Sequence, residues 1–265
     1  MTILLIGAGR MGSALLKGWL ASGLKSISVV EPKPSVQLRK LAKAKKIALF
    51  AAPSQIARKP SVCVVAIKPQ VLKGEAPTLA GFAQGGALMI SIAAGTSVAA
   101  MTRAWGKKAR IIRAMPNTPG AVGAGITGLY AAKGVTAADK KRAASLLSAL
   151  GATEWVGKEV LIDSVTAVSG SGPAYLFLMA EALTEAGIAE GLSRAQAEKF
   201  ARATVVGAGA LLAADKSSAS ALREAVTSPG GTTAAALSVL MADDGLMALM
   251  KRAVKAARKR AEELA

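Results

Sequence analysis

The stretch LLIGAGRMGSALLKGW, Leu4 to Trp19, decides how the rest of the chain is read. A short apolar run passes into Gly7, Gly9 and Gly12, spaced G-x-G-x-x-G, and then into a segment with helical apolar spacing. Gly7 permits a tight turn, Gly9 lets backbone approach a pyrophosphate, and Gly12 allows the helix to pack closely on the strand, with the helix N-terminus facing negative charge. The glycine pattern alone is a weak signal. Here its context is complete, because a strand precedes it, a helix follows, and an acid, Glu31, ends the second strand about 20 residues on. Ile6, Gly7, Ala8, Gly9, Arg10, Met11 and Gly12 are therefore candidate dinucleotide-binding residues.

Outward from that turn, TILLI, SISVVE, SVCVVAI, ALMISIA and ARIIRAM each read as buried strands of the parallel type, rich in β-branched residues and without clean alternation. Amphipathic segments separate them. A βαβ series of this kind predicts an α/β fold with a Rossmann-type doubly wound domain. Gly123 to Ala132 reads as a late edge strand, and Thr136 as the start of a helix. From residue 159 the strand signals stop and helical patterns take over, with Pro173 in a first turn and Ser193 and Gln196 at capping-box spacing. The expected organisation is a dinucleotide-binding domain over 1–158 and an all-helical domain for substrate binding and dimerisation over 159–265. Several of the later helices are apolar on more than one face, which predicts burial against a second copy in a homodimer at least.

Composition narrows the chemistry. There is no histidine among the 265 residues, which removes the commonest general acid/base, the Ser-His-Asp triad and most catalytic zinc sites together. The single cysteine, Cys63, lies in an apolar run, so no metal site and no disulfide framework is expected, and a reducing cytoplasm fits. With 34 Lys and Arg against 16 Asp and Glu, the net charge of +18 attracts anions broadly. Nucleic acid is the weaker reading, since aromatic residues make up only 3% and no basic strand is interleaved with them. The longest uncharged stretch, Ala76 to Thr102, is broken by Pro77, Gly85, Gly86 and Gly95, so it is not read as a membrane span. The first residues lack the pattern of an export signal.

Two further turns fall at the strand edge where open α/β sheets bind ligands. In AIKPQ, Ala66, Ile67, Lys68 and Pro69 form a rigid turn whose lysine can hold a cofactor phosphate or ribose, or can be a surface lysine at a strand end. In SIAAGT, Ala93, Ala94 and Gly95 are small enough for a nicotinamide ribose to come close. Cofactor preference is balanced: Glu31 suits the ribose hydroxyls of NAD, while Pro32 can turn its side chain aside and Lys33 is placed to meet the 2′-phosphate of NADP.

Near the end, TSPGGTT, Thr227 to Thr233, interrupts a helical region. It reads first as a plain interhelical turn, and otherwise as an anion site of backbone N–H groups and hydroxyls at a helix start.

In this order, IGAGRMG, AIKPQ, SIAAG, RAMPNTP, DSVTAVSGSGPAY and AVTSPGGTT run through nearly the whole chain, and together they resemble the pyrroline-5-carboxylate reductase family. The resemblance implies hydride transfer from a nicotinamide cofactor, usually NADPH with NADH the other candidate, to the C=N carbon of 1-pyrroline-5-carboxylate, giving L-proline. It implies that Gly230, Gly231, Thr232 and Thr233 cradle the substrate carboxylate, that Thr233 orients the imine as the catalytic hydroxyl, and that Ser171 belongs to the substrate site. Ser169 to Gly172 are expected as a close-approach loop, with helix capping ahead of Pro173 as their other role. A protonated imine is already an electrophile, so a chain without histidine can catalyse this reduction while the cofactor carries the chemistry. A homodimer, or a larger assembly of dimers, follows from the same resemblance.

Other readings predict other residues. A β-hydroxyacid dehydrogenase needs a lysine shortly after its second glycine motif, and SGSGPAYLFLMAEA has none. A non-catalytic dinucleotide- or nucleic-acid-binding protein would bind in a salt-sensitive way and turn nothing over.

Overall fold

The computed structural model describes residues 1–264. They fall into two compact units, one of residues 1–170 with the last turns from Ala257, the other of residues 171–256.

The first unit is built on β1 (Ile3–Ile6), β2 (Ile27–Val30), β3 (Ala48–Phe50), β4 (Val62–Val65), β5 (Leu88–Ser91), β6 (Arg110–Met115), β7 (Gly125–Ala131) and β8 (Gly151–Trp155). They form one sheet in the order β3-β2-β1-β4-β5-β6-β7-β8. β1 to β6 are mutually parallel; β7 is antiparallel to β6 and parallel to β8. Chain order reverses between β1 and β4, which places the switch-point crevice of a doubly wound sheet beyond Ile6 and Val65.

The crossovers put α1 (Arg10–Ala21) and α2 (Val36–Lys43) on one face, and α3 (Pro69–Glu75), α4 (Ala80–Gln84) and α5 (Val98–Trp105) on the other. The antiparallel β7 returns the chain so that α6 (Ala137–Leu147) joins the α1 face. Leu15, Leu16 and Trp19 of α1 meet Leu146 and Leu147 of α6 there, and Leu72, Leu79, Met101 and Trp105 cover the opposite face. Each buried indole also donates a hydrogen bond, Trp19 to Leu146 O at 2.7 Å and Trp105 to Ala76 O at 2.9 Å. Truncating either to Ala should cost about 3–5 kcal/mol. Cys63, buried in β4, has its thiol pushed well above the ordinary range by burial, so it stays protonated.

Local signals account for the helix starts. Ser35 and Ser97 accept the N–H groups of Leu38 and Ala100, and Thr136 with Asp139 closes a reciprocal box. Two expectations need correction. Gly125–Ala131 is not the sheet edge but an inner strand, because the unread segment GATEW pairs outside it as β8. The alternation of β8 is short and half exposed, which hid it in the sequence. Ser169 to Gly172 do not form a loop. After α7 (Leu161–Val165) the chain continues as a π-helical turn over Thr166–Gly170, with the Ser169 hydroxyl bonded back to Val165 O at 3.1 Å. Neither serine caps a helix through its side chain; a Cβ on Gly170 would lie 2.8 Å from the Met115 methyl, the flexible end of a side chain that can move aside.

The second unit holds α8 (Gly172–Ala189), α9 (Arg194–Ala214), α10 (Ala219–Ala225), α11 (Thr232–Leu240) and the first turns of α12 (Leu246–Glu263). Pro173 sits in the first turn of α8, and Ser193 and Gln196 form the box that opens α9. Gly187 lets α8 approach Ala197 of α9. The outer surfaces of these helices expose Leu176, Phe177, Leu178, Phe200, Leu211 and Leu212. Apart from the face that carries Glu181 and Glu185, α8 is apolar, and that much apolar surface calls for a further partner. Among the described residues no helix is long and apolar enough to cross a membrane.

Candidate active site

At the carboxyl edge of the sheet, β1 delivers the glycine turn. Gly7 has φ +88°, and a Cβ there would lie 2.6 Å from Ile67 Cγ2 and 2.8 Å from Ala66 O, so the first turn abuts the AIKPQ turn across the switch point. A Cβ on Gly12 would come within 2.2 Å of Gly7 O, which locks α1 against the turn it follows. Gly9 differs: a Cβ there would meet nothing within 4 Å. Its lack of a side chain leaves open space at the N-terminus of α1 rather than relieving a clash inside the protein. That space, above the unpaired first amides of a helix, suits a dinucleotide pyrophosphate.

Glu31 turns towards this loop. Its Oε2 accepts the Ala8 N–H at 2.9 Å and its Oε1 accepts the Lys33 N–H at 3.1 Å. The carboxylate thus stands at the end of β2, the position from which the acid of a Rossmann fold usually meets a ribose, and it braces the glycine turn from there. Lys33 is exposed. Lys68 caps α3 by its backbone, its carbonyl taking the Leu72 N–H at 2.9 Å, and Pro69 fills the first helical position. Arg10 and Met11 begin α1.

Beyond β5 lie Ala93, Ala94 and Gly95. Gly95 has φ +63°, and the atom its missing Cβ would strike is Leu264 O at 2.8 Å. The small residue at 95 is explained by the approach of the chain's own C-terminal turn. Together with Pro69, Leu72 and Met101, Ala94 and Gly95 wall a cavity of about 570 Å³ between α3 and α5.

One cluster was not read from the sequence. Arg113, 3% exposed in β6, donates to Asp163 Oδ1 at 2.8 Å and to Glu159 Oε1 at 3.1 Å. Only the occurrence of Arg113 and Asp163 inside the quoted blocks hinted at it, since no local spacing joins residues fifty positions apart.

In the second unit, TSPGGTT folds as a turn into α11. Gly230 has φ +72°, the Gly231 N–H closes the turn onto Ser228 O at 3.0 Å, and Thr227 Oγ1 donates to Arg223 O at 2.6 Å. Gly231 is the N-cap but offers no side chain. Among the described residues, the N–H groups and hydroxyls of Thr232 and Thr233 have no acceptor or donor partner. This is a helix start with free donors, a setting that favours an anion. Ser171 immediately precedes α8, its carbonyl taking the Ala174 N–H at 2.9 Å, and its hydroxyl caps nothing.

A Rossmann-type sheet with a glycine turn at its switch point, followed by a helical unit rich in uncovered apolar surface, defines a dinucleotide-dependent oxidoreductase of two parts. A family model described as pyrroline-5-carboxylate reductase dimerisation matches residues 159–264, and one described as NADP oxidoreductase, coenzyme F420-dependent, matches residues 2–95. The pyrroline-5-carboxylate reductase of Pseudomonas aeruginosa is 39% identical over 99% of this chain and 96% of its own length. A solved pyrroline-5-carboxylate reductase from Coxiella burnetii superposes with a TM-score of 0.92 at 38% identity, covering 100% of this chain and 98% of that one. The Plasmodium falciparum pyrroline carboxylate reductase, solved with NADP bound, gives 0.82 at 26% identity over 100% of this chain and 98% of that one. The chain belongs to the pyrroline-5-carboxylate reductase family.

Proposed function

We propose that the protein reduces 1-pyrroline-5-carboxylate to L-proline with NADPH, the last step of proline biosynthesis. The observation that carries this reading is the start of α11, where the amides and hydroxyls of Thr232 and Thr233 have no partner among the described residues and the helix dipole favours an anion. A small carboxylate fits that set of donors.

A bound nicotinamide dinucleotide supplies the hydride; the chain's part is to bind, orient and exclude water. Its glycine turn and α1 N-terminus hold the pyrophosphate, the open side of Gly9 giving the clearance. Ala66, Ile67, Lys68 and Pro69 hold the nucleotide from β4, Glu31 and Lys33 meet the ribose, and Ala94 lies beside the nicotinamide end. The amides of Thr232 and Thr233 take the substrate carboxylate, with Gly230 and Gly231 shaping the turn and Ser171 adding a hydroxyl. When hydride reaches the C=N carbon of the protonated imine, the π pair would become the lone pair of the ring nitrogen, which keeps its proton; Thr233 Oγ1 would orient the imine by accepting that N–H. No histidine is needed, because the protonated imine already carries the positive charge.

Residues 1–158 serve the dinucleotide and the remainder serves substrate and assembly. The apolar faces of α8 and α9 make the working form a homodimer, or a larger assembly of dimers, in the cytoplasm. The test is oxidation of NADPH and NADH with pyrroline-5-carboxylate, a semialdehyde acid serving as control. Turnover restricted to the cyclic imine supports the reading; none with a folded, cofactor-binding protein overturns it.

A further inference from the structure

We infer that Arg113 is a positioning residue for this reaction, the centre of a latch with Glu159 and Asp163 that fixes three segments at the carboxyl edge of the sheet. The inference rests on the reading of Ala93–Ser97 as part of the cofactor edge.

Arg113 lies opposite Ser91 in the β5–β6 register, so it stands where the SIAAGT loop leaves the sheet. Its guanidinium reaches two carboxylates at once, Glu159 at 3.1 Å and Asp163 at 2.8 Å. Glu159 Oε1 also accepts the Val98 N–H at 2.7 Å. That amide belongs to the first turn of α5, a helix with no acidic residue of its own in that turn. Glu159 therefore supplies from a distant segment both the missing acceptor and the charge that complements the helix dipole. Asp163, 6% exposed, sits in α7, which leads directly into the π-helical turn and Gly170 against Met115.

One side chain thus joins the end of the Ala93–Ser97 loop, β6 ahead of MPNTP, and the helical segment that precedes Ser171. A buried cation between two carboxylates is a poor device for raw stability, because desolvation offsets most of the attraction. What it provides is direction. The planar fork of Arg presents donors to both acids in fixed, well-separated directions, which the compact and freely rotating ammonium of Lys does not. A loosened latch leaves the fold standing but lets the loop drift, and misplacement on the ångström scale is enough to cost rate.

The variants are Arg113→Lys, which keeps the charge, and Glu159→Gln, which keeps an oxygen for Val98. Each is compared with wild type by thermal unfolding, NADPH titration and steady-state reduction of pyrroline-5-carboxylate. The expected result is a folded protein with NADPH affinity within about threefold of wild type and kcat lower by about tenfold or more, KM changing little. Folded variants with kcat within about twofold of wild type overturn the inference, and so does failure of both to fold, which would make the cluster purely structural. Absence of turnover in wild type itself would instead overturn the functional reading, and the latch as a positioning device for it.

Discussion

The carboxylate of Glu31 accepts the backbone N–H of Ala8 at 2.9 Å, joining the end of β2 to the middle of the glycine turn on β1. An acid at this position is commonly understood through the ribose it meets, yet here it first serves the loop. Pro32 does not turn it away. The Lys33 N–H holds its second oxygen at 3.1 Å, so the negative charge is fixed in place.

That fixed charge opposes a 2′-phosphate. Glu31→Gln keeps the Ala8 bond through its amide oxygen while removing the charge, and it should raise the ratio of kcat/KM for NADPH over NADH by about tenfold, near 1.4 kcal/mol. Glu31→Ala loses the brace as well and should weaken both cofactors. Steady-state kinetics with each cofactor decide the matter; an unchanged ratio in the Gln variant would separate Glu31 from the ribose.

Two glycines of the same turn should fail in different ways. Gly9→Ala introduces a methyl into open space, with φ −66° allowed to any residue, so the melting temperature should hold while KM for NADPH rises by about tenfold or more. Gly12→Ala drives a Cβ to 2.2 Å from Gly7 O and should destabilise the apoprotein itself. Thermal melts without cofactor distinguish them.

Thr233→Val removes a hydroxyl that has no intramolecular partner among the described residues, so folding should be unaffected. Loss of a hydrogen bond to a charged group, about 1.5–3 kcal/mol, should lower kcat/KM for the imine by about 10- to 100-fold and leave NADPH binding unchanged. A parallel loss of cofactor affinity would show that the residue serves the nucleotide instead.

Phe177 is 64% exposed between Leu176 and Leu178 on α8. Phe177→Glu places a charge on the apolar surface proposed to meet a second copy, and sedimentation velocity should show a monomer at micromolar concentration, a shift of Kd by about 100-fold or more. An assembly unaltered by the charge would place the interface elsewhere.

Asp139, 1% exposed, accepts from Thr136 N at 3.2 Å, Thr136 Oγ1 at 2.9 Å and Arg110 Nη1 at 2.6 Å. Burial acts to raise its carboxyl, but the hydrogen bonds from Thr136 and Arg110 outweigh that and hold it below its ordinary value. A depressed folded pKa contributes stability that is present above the unfolded value and lost as pH falls through the folded one. Asp139→Asn should therefore cost about 2 kcal/mol at neutral pH, the difference narrowing as pH falls below about 4. Denaturant melts across that range check it; a constant difference would mean the loss is steric.

Much of this protein is local, and local features were readable. β1, the glycine turn and α1 are contiguous, as are the capping boxes at Thr136 and Ser193, because a cap is made by residues three apart. The helical half announced itself through periodicity. GATEW did not, since a short edge strand with one face half exposed carries little pattern of its own and is fixed by pairing with β7. The π-helical turn at Thr166–Gly170 was hidden too, because a Ser-Gly run reads locally as a loop although the helical backbone continues through it.

The sequence by itself determined the βαβ order, the nucleotide turn, the change to helices and the absence of imidazole chemistry, all of which are properties of neighbouring residues or of composition. Tertiary structure alone decided that Glu31 braces Ala8, that Gly95 makes room for Leu264, and that Arg113 gathers Glu159 and Asp163. These relations join residues far apart in the chain, and their energies depend on distances of about 3 Å that no spacing along a sequence encodes.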